Sequence, residues 1–151
     1  MRFSSLFLIT ILVTGCIATP AVEPTPTTAP PYRITPNENS FEPKLEDVSW
    51  QVATVNISSV VFSEQYEFTP PRAAIRFVGS MPSVCNELRI DISEPDEEYN
   101  VFIEVYSLVN PDVQCDNVFQ QFEASVLMGA YSPGRYSVWV NGALAGDFVS
   151  Y

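Results

Sequence analysis

From Lys44 onward the chain alternates apolar and polar residues in short runs, and a period of two admits strands but not helices. "NELRIDIS" (86–93) sets Leu88, Ile90 and Ile92 on one face and Glu87, Arg89 and Asp91 on the other. "YNVFIEVYSL" (99–108) directs Val101, Ile103 and Val105 inward, and "RYSVWVNG" (135–142) directs Tyr136, Val138 and Val140 inward. "PRAAIRFVG" (71–79) aligns Ala73, Ile75 and Phe77, and "FEASVLM" (122–128) aligns Phe122, Ala124, Val126 and Met128. "VNISSVVF" (55–62) changes phase at Ser58-Ser59, which places a bulge there. "LAGDFVSY" (144–151) closes the chain, making seven expected strands, and no run shows convincing helical amphipathicity. Asn141-Gly142, between two of these strands, is a type I′ hairpin signal, because both residues tolerate positive φ.

The fold class expected is all-β, a seven-strand antiparallel sandwich over residues 44–151, with a small closed barrel as the alternative. "SPGRY" (132–136) resembles the approach to the sixth strand of immunoglobulin-like domains, where a Gly precedes a buried corner Tyr. There are three cysteines, Cys16, Cys85 and Cys115. If other chemistry takes Cys16, an even pair is left, as expected of one disulfide in an exported protein. Cys85 falls between the second and third expected strands and Cys115 between the fourth and fifth. An up-and-down path brings those connections to one end, where a bridge closing about 30 residues contributes roughly 3–4 kcal/mol. Neither histidine nor a CxxC pair accompanies them, which argues against a metal or reactive-thiol role.

The first fifteen residues, "MRFSSLFLITILVTG", have the layout of a secretory signal peptide: a basic start at Arg2, then an apolar core over 6–13. The segment is shorter than the about 20 apolar residues a spanning helix needs. Val13-Thr14-Gly15-Cys16 resembles a bacterial lipobox, and the resemblance implies that Cys16 is lipidated and becomes the new N-terminus. A plain signal peptide with a chance cysteine and a retained transmembrane helix are the other readings. Residues 16–43 then form a linker with Pro20, Pro24, Pro26, Pro30, Pro31, Pro36 and Pro43 and few large apolar groups. That composition favours a disordered, extended spacer. The domain plan is therefore 1–15 leader, 16–43 lipidated cysteine and linker, 44–151 sandwich. The expected location is the cell envelope, lipid-anchored to the membrane with the domain outside the cytoplasm.

The formal net charge is −11, with 18 acidic and 7 basic residues and no histidine. Such a chain repels nucleic-acid backbones and anionic headgroups. Without histidine there is no Ser-His-Asp triad, no Cys-His pair and no imidazole metal site. No glycine-rich phosphate loop is present, and no cofactor is expected. "EPDEE" (94–98) offers oxygens to Ca²⁺ but lacks the Asp/Asn spacing and Gly of a dedicated loop, so a solvated turn is the expectation. Asn56-Ile57-Ser58 matches a glycosylation sequon inside an expected strand, a chance match in a bacterial lipoprotein.

The same up-and-down path carries a spatial expectation. The linker meets the first strand at the Cys85/Cys115 end, together with the Asn141-Gly142 hairpin, and that end faces the membrane. The far end collects "SEQYEFTPP" (63–71), "SEPDEEY" (93–99) and "MGAYSPG" (128–134). It offers Tyr66, Phe68, Glu94, Asp96, Glu97, Glu98 and Tyr131 as candidate binding residues, since aromatics beside carboxylates on outward loops suit recognition. The plainer alternative is a solvated hairpin whose aromatics pack on their own core.

"ISSV" (57–60), "GSMPSVCNEL" (79–88), Cys115 followed by "FQQFE" (119–123), and "SPGRYSVWVNG" (132–142) together resemble uncharacterised bacterial surface lipoproteins with a small β-rich exported domain. The resemblance implies an exported, disulfide-linked, immunoglobulin-like domain and carries no activity. Tyr131-Ser132 replaces the Leu usual before the Pro-Gly pair. The function expected is a non-enzymatic binding or envelope-structural module, with an envelope protein or glycan as partner. An immunoglobulin-like proteinase inhibitor is the alternative, and a carboxylate-based hydrolase a remote one.

Overall fold

The computed structural model describes residues 39–151. The leader, Cys16 and the linker through residue 38 lie outside the described residues. After a 3-10 turn at Leu45–Ser49 come eight strands: β1 Gln51–Thr54, β2 Asn56–Gln65, β3 Arg72–Met81, β4 Glu87–Ile92, β5 Asn100–Val109, β6 Gln120–Leu127, β7 Gly134–Val140 and β8 Ala143–Ser150. They form a β-sandwich. One sheet runs β2-β3-β6, and the other runs β1-β5-β7-β8 with β4 on β5.

Two features depart from the seven-strand antiparallel expectation. The added strand is β1, which pairs with β5 while β2 pairs with β3 in the opposite sheet. The chain changes sheets at Val55, and four residues of β1 are too few to display a period. The second departure is that β5 and β7 are parallel. The strand between them, β6, belongs to the other sheet, so the chain returns to β5 running in its original direction.

β4 pairs with residues 103–108 of β5, so β7 (opposite 100–103) and β1 (opposite 106–109) share the remaining edge. Asn141 fills the gap between them. Its N–H donates to the Ile103 carbonyl at 2.9 Å. Its side-chain amide accepts from Val105 N–H at 2.7 Å and donates to the Val105 carbonyl at 2.9 Å, standing in for a strand backbone. Asn141 (φ 47°) and Gly142 (φ 81°) both adopt the left-handed conformation expected of an Asn-Gly turn. The hairpin thus ends beside the middle of β5 rather than at the disulfide end.

The inward phases predicted from periodicity form the core. Ile75 and Phe77 of β3 and Ala124 and Val126 of β6 face Ile90, Val101, Ile103, Val105, Tyr136 and Val138 of the larger sheet, all buried. The phase change in β2 is a bulge between Ile57 and Ser59. Gly79 sits opposite Ile57, where a Cβ would lie 2.3 Å from the Asn56 carbonyl oxygen, so the backbones approach there only because the residue is glycine. Cys85 and Cys115 form the disulfide, with Cα atoms 6.1 Å apart, joining the β3–β4 and β5–β6 connections. Behind it a buried polar chain runs from Ser83 Oγ to Asn86 Oδ1 (2.5 Å), from Asn86 Nδ2 to Ser107 Oγ (2.9 Å), and from Ser107 Oγ to the Ala53 carbonyl (3.2 Å).

The chain is fixed to the sandwich before residue 44. Asn39 Nδ2 donates to the Ile90 carbonyl at 3.0 Å, and Ile90 N–H donates to the Phe41 carbonyl at 2.8 Å. These residues occupy the free edge of β4, and Phe41 packs on the core.

Candidate functional site

The connections β2–β3 (66–71), β4–β5 (93–99) and β6–β7 (128–133) gather at one end, as the strand registers require. Two residues organise this end. The Arg72 guanidinium donates from Nε to the Met128 carbonyl at 3.0 Å, and from a second nitrogen to the same oxygen. It also stands 5.3 Å from the Phe68 ring centre, a cation–π contact that holds the β2–β3 loop against the β6–β7 loop. Tyr131 packs on Tyr136 and Phe148, with ring centres 5.2 and 5.9 Å away. Tyr136 itself donates its hydroxyl to the Ser132 carbonyl at 2.8 Å, the corner bond that "SPGRY" suggested.

Tyr131 stands between two openings. An open cleft of about 620 Å³ is lined by Asn39, Glu42, Arg72, Asp91, Glu94 and Tyr131. A smaller one of about 140 Å³ is lined by Phe68, Pro70, Arg72, Tyr131 and Phe148. Burial pushes the Tyr131 phenol above its ordinary pKa, so it stays a neutral hydrogen-bonding group at physiological pH.

Of the predicted site residues, the fold brings together Phe68, Glu94 and Tyr131. Tyr66 is exposed and turned away: its hydroxyl bonds the Glu64 carboxylate, which also accepts from Tyr151, and the Glu64 bond raises the Tyr66 pKa. Asp96 serves its own loop, accepting from the N–H groups of Glu98 (2.9 Å) and Asn100 (2.8 Å) and from the Asn100 side chain (3.0 Å). Those bonds, led by the Asn100 side chain, lower its pKa and secure the turn in which Tyr99 takes φ 62°. Glu97 and Glu98 are exposed on that turn and line neither cleft. Among the described residues, no group of three or more His, Cys, Asp and Glu is placed to hold a metal ion.

Arg72 was not anticipated; its signal was an arginine directly after the loop prolines and ahead of an apolar strand. Asn39 and Glu42 were assigned to the linker, yet they wall the larger cleft. The first strand does begin at the disulfide end, where Gln51 pairs with Val109, but the chain reaches it by an unexpected route. Before reaching β1 the chain runs along the β4 edge from beside Glu94 and Tyr131 towards the disulfide end. The described residues thus begin, at Asn39, beside the aromatic and acidic loops.

These loops cap a two-sheet β-sandwich whose larger sheet carries one parallel pair. Residues 75–150 match the ORF11 beta-sandwich domain, and the chain belongs to that family. The match runs from Ile75 in β3 to the last residue of β8, so it takes in Glu94 and Tyr131 but not Phe68 or Arg72. No curated protein and no solved structure matches the chain.

Proposed function

We propose that the protein is a non-enzymatic, extracytoplasmic binding module, held to the membrane through a lipid on Cys16, that engages an envelope protein or glycan with its loop end. The observation that carries this reading is the junction at Tyr131, where a polar cleft and an apolar one meet across a residue pinned by its own aromatic cluster. Rigid aromatic anchors beside polar groups are what recognition surfaces use for affinity and orientation.

Two experiments test the reading. Phe68→Ala, Glu94→Gln and Tyr131→Phe, which keeps the ring packing, should each reduce retention of the full-length protein on isolated envelopes while leaving its melting temperature within a few degrees. Retention unchanged in all three would refute the loop-end site. Labelling with radioactive palmitate should mark the wild-type chain and not Cys16→Ser; equal labelling of both would refute the anchor.

A further inference from the structure

We infer a second binding surface, on the outer face of the larger sheet, that takes a neutral glycan; it uses none of Phe68, Glu94 and Tyr131. Phe102 of β5, Trp139 of β7 and Leu144 of β8 are register partners in turn, so their side chains form one apolar row across three strands. Phe102 is 45% and Leu144 61% exposed, although Val101, Ile103, Val138 and Val140 on the opposite face of β5 and β7 belong to the core. The Phe102 and Trp139 rings are stacked at an offset, their centres 6.5 Å apart and their planes 27° from parallel. Trp139 is half-buried and gives its indole N–H to Asn100 Oδ1 at 3.3 Å, which fixes the ring at the groove wall. The row opens into a groove of about 980 Å³ that continues over Glu104, Tyr106 and Val52.

Charge and hydrogen bonding select the occupant. Among the described groove residues, Asp47 is neutralised by Arg89, leaving Lys44 and Glu104 as one charge of each sign. The groove therefore favours neither a polyanion nor a polycation. A second copy of the chain would bring together two molecules of net charge −11. Glu104 lies on the same face of β5 as Phe102 and Tyr106, and among the described residues it joins no ion pair. An apolar side chain seated on the rings would desolvate that carboxylate and offer it no hydrogen bond. A sugar presents both halves of the required chemistry. The C–H face of a pyranose lies on the negative face of an aromatic ring, and its hydroxyls donate to a carboxylate at the ring edge.

The test uses full-length protein in a polyoxyethylene detergent, which carries no sugar. The chain has two tryptophans, so Trp50→Phe leaves Trp139 as the fluorescent reporter. Neutral hexasaccharides of β-1,4-glucan, β-1,4-xylan and chitin are titrated up to about 10 mM. At least one should give a saturable change in emission. Phe102→Ala and Glu104→Ala should each weaken that binding on the order of tenfold. Phe119→Ser, exposed on the β5–β6 connection, should leave it unchanged. No saturable change with any of the three sugars overturns the inference. So does a response that survives Phe102→Ala, or one given only by an uncharged Leu-rich tetrapeptide, which would make the groove a protein-binding surface. The outcome is independent of envelope retention by the loop-end variants, so either site can fail alone.

Discussion

Arg89 occupies the outward phase of β4 and yet is 3% exposed. Alternation assigns a side chain to a face but is silent about what covers that face. Here the 3-10 turn lies over it, and Arg89 meets Asp47 through two bonds of 2.7 and 2.8 Å, with Glu87 accepting a third at 3.0 Å. The Arg89 bond holds Asp47 down from 3.8 to about 2. A carboxylate lowered in the folded state contributes stability that is complete above its unfolded pKa and is lost as pH falls through the folded one. Wild-type stability should therefore decline between about pH 4 and pH 2, and Asp47→Asn should flatten that part of a urea-midpoint profile. Arg89→Ala, which strands Asp47 beneath the turn, should lower the melting temperature on the order of 10 °C. Tyr136→Phe removes only the corner bond to Ser132 and should cost about 1 kcal/mol in denaturant unfolding. The outward aromatics carried a signal of the same kind. Phe102 and Trp139 fall on the solvent phase of strands whose other phase is core, where large apolar groups have no packing reason to be.

Among the elements, the β7–β8 hairpin shows how local chemistry becomes tertiary structure. Asn-Gly specifies the turn, and periodicity specifies which side chains enter the core. Neither says that the Asn141 amide will continue a parallel ladder to Val105 where β7 stops and β1 begins. Asn141→Ala should lose both side-chain bonds and force alanine into the left-handed region, costing roughly 2–4 kcal/mol in chemical denaturation. Asn141→Gly relieves the backbone strain and should recover part of that loss, which separates the two contributions. At the β2 bulge, Gly79→Ala would drive a methyl into the Asn56 carbonyl and should destabilise by more than about 1 kcal/mol in the same measurement. The bulge itself was readable from the phase change at Ser58-Ser59. The parallel pairing was not, because it depends on β6 joining the opposite sheet.

At the scale of the whole molecule, the disulfide and the buried Ser83–Asn86–Ser107 chain tie the end of the sandwich farthest from the loop clefts. Intact mass should rise by two hydrogens on reduction of unmodified protein. Cys85→Ser with Cys115→Ser should cost about 3–4 kcal/mol, since the bridge spans a sequence separation of 30. Opening that end should affect the loop clefts little, because Arg72, Phe68 and Tyr131 are held by contacts of their own. The sequence alone determined the all-β class, the inward phases, the bulge, the Asn-Gly turn and the cysteine pair. All of these follow from side-chain period, local φ preferences and residue counts. Only the tertiary structure decided which sheet each strand joins, that the chain from Asn39 runs along the β4 edge and meets the sandwich beside Glu94 and Tyr131, and that Tyr66 and Asp96 serve local contacts instead of the cleft. Those outcomes depend on pairings between residues far apart in the chain. Periodicity says which way a side chain points, but not which distant backbone or ring it will find there.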